Sequence, residues 1–213
     1  MPETGLFLDR VSIALNGRTL LSITHAVAPG EVLTVMGPSG SGKSSLLAYI
    51  GGFLDRAFSA SGAVLADGVD VTRLPAEERH AGLLFQDALL FPHMTVAGNV
   101  AFAVPSLVKK RAERRIQAEA ALAGVDLAGF GDRDPDTLSG GQKARVALAR
   151  TLVSSPRMLL LDEPFSRLDA ELRRQMRELV FERAKASGLP VILVTHDEAD
   201  AEAAGGPIVR IGV

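Results

Sequence analysis

Short apolar pieces open the chain. Leu6-Phe7-Leu8, Val11-Ser12-Ile13 and Leu20-Leu21-Ser22-Ile23 either run apolar or alternate with polar positions, the period-two pattern of half-buried strands. Asn16-Gly17 separates two of these pieces and supplies the positive φ that a tight hairpin turn needs. Pro29-Gly30 then turns the chain into Glu31-Val32-Leu33-Thr34-Val35-Met36, read as a short buried strand. A glycine-rich stretch follows, and a helix is expected to begin over 44–49. Residues 62–71 predict two short strands turning at Asp67-Gly68. Helical spacing covers 107–122, 141–154 and 170–187, with a loop around Gly124, Gly129, Gly131 and Pro135. Strands are expected at 158–161, 191–194 and 208–211. Strands alternating with helices predict an α/β fold around a mostly parallel sheet, preceded by an antiparallel β piece.

Length and composition narrow the classes. At 213 residues the chain suits one domain with an insertion, and 47% apolar with 23% charged residues excludes wholesale disorder. A net charge of −2 gives no overall attraction to nucleic acid. The absence of Cys excludes disulfides, thiolate metal sites and cysteine nucleophiles. The first residues, Met1-Pro2-Glu3-Thr4-Gly5, do not read as a signal peptide. The most membrane-like stretch, 88–108, is broken by Pro92, His93, Gly98, Asn99 and Pro105, so no membrane span is expected. A mean hydropathy of +0.20 is high for such a chain and suggests an apolar patch that meets a partner. The basic run at 109–115 reads either as a solvated helix face or as a contact for lipid headgroups or a partner.

The chemistry concentrates in a few places. Gly37-Pro38-Ser39-Gly40-Ser41-Gly42-Lys43-Ser44 fits G-x-x-x-x-G-K-[ST] without a mismatch, between a strand and a helix. From this composition about 0.005 chance matches are expected. Glycines let backbone N–H groups converge on phosphate oxygens, and a helix N-terminus adds partial positive charge. In this motif Lys43 reaches the β- and γ-phosphates and the Ser44 hydroxyl holds Mg2+. Downstream, Met158-Leu159-Leu160-Leu161 ends in Asp162-Glu163. Neighbouring strand residues face opposite ways, so the two carboxylates are expected to divide the work. Asp162 is assigned to Mg2+ through a water, and Glu163 to orienting and deprotonating the attacking water.

Leu138-Ser139-Gly140-Gly141-Gln142 lies just ahead of a predicted helix and before the acidic strand end. With the phosphate loop upstream, the set resembles the ATPase subunits of ABC transporters, over essentially the whole chain. Gln86 in Leu84-Phe85-Gln86-Asp87, Ser166-Arg167-Leu168-Asp169, and His196 in Val194-Thr195-His196-Asp197 fall in that family's order. The resemblance implies a P-loop NTPase core with a mostly parallel sheet, an N-terminal antiparallel β subdomain and an α-helical insertion near 88–155, all in one nucleotide-binding domain. It implies ATP and Mg2+ as ligands. The nucleotide is contacted by Gly37 to Ser44 and by Ser45, Gln86, Ser139, Gly140, Gly141, Gln142 and Asp169. Ser44, Gln86 and Asp162 serve the metal, and Lys43, Glu163 and His196 serve catalysis. It further implies two copies stacked head to tail, the Ser139–Gln142 segment of one covering the ATP of the other, so that ATP joins the pair and hydrolysis releases it.

Two positions depart from the family pattern. The aromatic residue that many members carry in the first hairpin, stacked on adenine, is replaced by Leu15 or Ala14, which implies a loosely held base and weak discrimination between ATP and GTP. Gly98 stands where the family usually has Glu, in the segment that meets the transport partner. The segment from Phe85 to Val96 resembles the importer version of the groove that receives a permease helix. The expectation is therefore an importer ATPase at the cytoplasmic face of the inner membrane. Its partners would be a permease and, indirectly, a substrate-binding protein that selects the cargo; a thiamine-like molecule is favoured over iron or polyamines. The alternatives are an exporter ATPase or a soluble ABC protein acting on DNA or ribosomes. Against the latter stand the lack of a long coiled-coil or zinc insert and the presence of one cassette in this chain.

Overall fold

The computed structural model describes residues 4–212 and divides the chain into two compact units. The first comprises Met1–Ala81, Arg157–Glu163 and Phe181–Val213. Its antiparallel sheet starts with β1 (Leu6–Leu15) and β2 (Arg18–Val27), joined at Asn16-Gly17, both with positive φ. The inward residues of β1 change parity, from Leu6 and Leu8 to Val11 and Ile13, and all four are fully buried. A bulge at Asp9-Arg10 absorbs the change, so both apolar pairs reach the same core. On the other edge of β1 lies β4 (Phe58–Ala66), which turns at Asp67-Gly68 into the two-residue β5 (Val69–Asp70). That turn was expected, but β4 begins earlier than the sequence pattern suggested, because Ser59, Ala60 and Ser61 give no alternation to read.

The parallel strands of this unit run in the order β7 (Met158–Asp162), β8 (Val191–Val194), β3 (Val32–Met36), β9 (Ile208–Arg210). All of β3 and β8 and the first four residues of β7 are buried, as continuous apolar runs in parallel sheets require. Helix α1 (Lys43–Gly51) leaves the end of β3 through the glycine-rich loop. Its far end is held by the buried Arg79. That guanidinium donates to the carbonyl oxygens of Tyr49 (2.7 Å), Ile50 (3.1 Å), Leu74 (2.8 Å) and Thr72 (2.5 Å). A short helix, α6 (Glu198–Ala204), follows β8, its N-cap Asp197 accepting from Ala199 N–H.

The second unit comprises Gly82–Pro156 and Pro164–Val180, and β6 (Ala81–Phe85) leads the chain into it. Helices α2 (Val96–Ala103), α3 (Arg111–Ala123) and α4 (Gly140–Val153) pack on one another around Val96, Val100, Ala118, Leu122 and Val146, all fully buried. Helix α5 (Ala170–Ala186) begins here. The helix expected over 107–122 starts only at Arg111, and α2 precedes it. Thr95 caps α2, accepting from Gly98 N–H, and the N–H groups of Val96 and Ala97 reach the carbonyls of Arg133 and Gly131. The basic run is partly consumed inside the fold. Arg114 donates to the carbonyls of Ala101, Phe102, Pro105 and Val108, closing the C-terminal end of α2, and Arg115 pairs with Glu119 and Asp132. Arg114 is thus taken up by backbone carbonyls, while Arg115 remains on the solvated face and pairs there with surface carboxylates.

Candidate functional site

In the first unit the glycine-rich loop wraps the start of α1. Gly37 is required by space, since a Cβ there would stand 2.5 Å from Ile211 O and 2.9 Å from its Cγ1. Gly42 is required by conformation: it precedes α1 at φ 92, where L side chains are strained. The helix has no side-chain cap and no acidic residue in its first turn. Its first N–H groups are therefore left to an anion, which the helix dipole also favours. Lys43, almost fully buried, arches back over the loop and donates to Gly37 O and Pro38 O, each at 2.8 Å. Ser41 Oγ is buried with no partner among the described residues. A buried ammonium, an unpaired hydroxyl and a set of inward N–H groups fit a polyphosphate.

Two carboxylates complete this end. Asp162 Oδ1 accepts from the Ser44 hydroxyl at 3.1 Å. Burial pushes the Asp162 carboxyl above its ordinary range. The Ser44 hydrogen bond opposes that rise, the charge of Glu163 adds to it, and Lys43 counters it. One hydroxyl and one carboxylate side by side are the hard-oxygen donors that Mg2+ takes while it keeps its waters and phosphate oxygens. Glu163 turns away from this pair and lies 3.1 Å from His196 Nδ1 through its Oε1. The two neighbouring carboxylates thus have different partners. Glu163 has φ 47, the left-handed region, and its N–H donates to Val194 O. Gly37 to Gly40, Gly42 to Ser45, Glu163 and His196 line one cleft of about 650 Å3 together with Leu15, Leu20 and Phe58.

The remaining expected residues belong to the second unit. Ser139 caps α4 in a reciprocal box: its hydroxyl accepts from Gln142 N–H (3.3 Å), and Gln142 Oε1 accepts from Ser139 N–H (3.0 Å). Gly140 is exposed and Gly141 packs against Leu172. Asp169 accepts from Leu172 N–H at 3.0 Å, at the start of α5. Gln86 is exposed beside a cavity of about 160 Å3 whose walls include Leu84, Phe85, Ala147, Phe165 and Met176. Asp87 and Arg167 form an ion pair. The expected apolar patch is ordered from within. Asn99, fully buried, accepts from Phe91 N–H and donates to the carbonyls of Phe91 and Thr95, while Arg150 holds the Ala88 and Leu89 carbonyls. Phe85, Leu89 and Phe102 remain exposed.

Residues 20–166 match the family model described as ABC transporter. The chain is 44% identical to YnjD of Escherichia coli (strain K12), an uncharacterized ABC transporter ATP-binding protein, over 93% of this chain and 91% of that one. It is 46% identical to the Fe(3+) ions import ATP-binding protein FbpC of Agrobacterium fabrum, over 89% of this chain and 52% of that protein. A solved structure of the ATP-binding cassette MJ0796, a dimer in a post-hydrolysis state bound to ADP and Pi, superposes with a TM-score of 0.76 at 32% identity, covering 97% of this chain and 94% of that one. The chain belongs to the ABC transporter ATP-binding proteins. It spans about half the length of the iron-import relatives.

As an ABC ATPase it binds and hydrolyses ATP, and its fold is the one the motifs implied. Leu15 is the hairpin residue that lines the cleft. Phe58, which sequence reasoning passed over, lines it too. The ring enters from β4, at the register position paired with Leu15, and only the strand pairing reveals it. Among the described residues no helix is long and apolar enough to cross a membrane.

Proposed function

We propose that this ABC ATPase powers a membrane importer, working as a head-to-tail pair bound to the cytoplasmic side of a permease. The observation that carries the catalytic part is the single cleft shared by the phosphate loop, Lys43, Ser44, Glu163 and His196. Loop N–H groups and Lys43 hold the β- and γ-phosphates. Mg2+, held by Ser44 and Asp162, would neutralise charge on the phosphate oxygens. Glu163 takes the proton of the attacking water, and His196, which meets the Glu163 carboxylate through Nδ1, is the γ-phosphate contact. Ser139 and the N–H of Gly141, at the start of α4, cover the ATP of the other copy, and Gly140, Gln142 and Asp169 line the same junction. The dimeric ADP-bound relative supports the paired form, and the iron-import relatives support an importer over an exporter or a DNA- or ribosome-bound ATPase.

The domain is one nucleotide-binding unit whose helical insertion, near 88–155, offers Leu89 and Phe102 to the permease, beside Phe85 at the end of β6. The permease and a separate binding protein select the cargo. The named relatives favour iron(III) over the thiamine-like molecule suggested by the sequence.

Replacing Glu163 with Gln keeps shape but removes the proton acceptor. ATP binding should persist while turnover falls about a hundred- to ten-thousandfold, and size-exclusion chromatography with ATP should show a trapped dimer. Turnover at the wild-type rate, or a protein that stays monomeric with ATP at high concentration, would overturn the reading.

A further inference from the structure

We infer that Phe58 is the platform on which the nucleobase stacks, so that the base site lacking an aromatic in the first hairpin is rebuilt from the neighbouring strand. The inference rests on the nucleotide reading above. A phosphate cradle fixes one end of a nucleotide, and the base must then lie on whatever surface the cleft offers beyond it. Here that surface is Leu15, Leu20 and Phe58. Leu20 adjoins the loop, its Cβ standing 3.1 Å from a Cβ built on Gly42. Leu15 and Phe58 are direct partners across the antiparallel β1–β4 pair, so their side chains share one face of the sheet.

The turn before β4 sets the ring at the strand's first residue: Ala57 N–H donates to Asp55 Oδ1 at 2.8 Å, and Phe58 N–H to Asp55 O at 3.0 Å. Phe58 is half-buried and is the one aromatic residue among the phenylalanines and tyrosine that lines this cleft. An aromatic face partly open to a cleft is a stacking surface, and stacking accepts any base because every base has a π face. None of the three apolar side chains can hydrogen-bond a base edge. The site therefore selects a flat base without reading its exocyclic groups, and ADP and GDP should bind within about threefold of each other.

The test uses ligands that share phosphates and differ in the base: MgADP, MgGDP and magnesium pyrophosphate, measured by calorimetric titration. Phe58→Ala, and the volume-preserving Phe58→Leu, should weaken ADP about three- to tenfold while pyrophosphate affinity stays within about twofold. The chain contains no Trp, so Phe58→Trp adds a sole indole. Its fluorescence should be quenched by ADP and not by pyrophosphate, with ADP affinity at least equal to wild type. Unchanged ADP affinity in Phe58→Ala and Phe58→Leu, equal weakening of ADP and pyrophosphate, an indole indifferent to ADP, or a preference for ADP over GDP beyond tenfold would overturn the assignment. A wild-type protein that binds neither ADP nor pyrophosphate would instead overturn the nucleotide reading itself.

Discussion

Replacing Arg79 with Met isolates what anchors the helix behind the phosphate loop. The guanidinium makes four hydrogen bonds, all to backbone carbonyls, two of them on the last turn of α1. Counted separately at about 1.5–3 kcal/mol each, they would approach the whole stability of a domain. That sum overstates the effect, because burying the charge carries its own desolvation cost, visible as a lowered Arg79 pKa. Met removes the bonds and that cost together, and keeps most of the apolar stem. The Ile50 carbonyl then loses its side-chain donor, and the Tyr49 carbonyl keeps only Gly52 N–H, at a site where Arg79 itself is only 6% exposed. The balance is a loss of about 3 kcal/mol, or about 6–12 °C in Tm for a chain of this size. Urea unfolding followed by far-UV circular dichroism measures it. Arg79→Lys should recover less than half of the loss, since a compact ammonium cannot reproduce a planar fork. A Met variant within about 1 kcal/mol of wild type would show that these carbonyls are satisfied by water, and the reasoning would fail.

Two further outcomes follow from local geometry. Ser139→Ala removes one half of the box at the start of α4 and should cost about 1 kcal/mol in urea unfolding, on top of any effect on turnover; an unchanged midpoint would mean that the Gln142 side chain alone caps the helix. Asp70 accepts hydrogen bonds from the side chain and backbone of Thr72, which hold its carboxyl below the usual range. Because the native pKa lies under the unfolded one, its stabilising contribution is present above the ordinary carboxylate range and fades as pH falls through the lowered value. Asp70→Asn should therefore melt below wild type at about pH 7, with the gap closing towards about pH 3, and a gap independent of pH would count against the hydrogen-bonding account.

The motifs that carry chemistry were legible because each is local: the loop from Gly37 to Ser44, the strand ending in Asp162-Glu163 and the segment before α4 are all read from adjacent residues. Helix α2 was not, because its eight residues include Gly98 and the buried Asn99 and show little amphipathic contrast to read. Thr95, three residues before Gly98, was the available signal, as a helix-capping residue. The short strand β6 offers five residues between turns and too little pattern to recognise. Arg114 reads as surface charge, since nothing in a run of basic residues reveals that four carbonyls lie within its reach. Phe58 could not be placed at all from local pattern. Its position beside Leu15 depends on the β1–β4 register and on the bulge that adjusts it.

Glu163 sits at φ 47 with its N–H committed to Val194 O, so the peptide cannot relax without releasing the end of a strand. That geometry suits glycine, and for a residue with a Cβ it costs about 1 kcal/mol or more. With Glu163 as the proposed base, folding and turnover make opposite demands on one position. A library screened only for heat resistance should enrich small or flexible residues there, and every such winner would be a sturdier protein that no longer cleaves ATP.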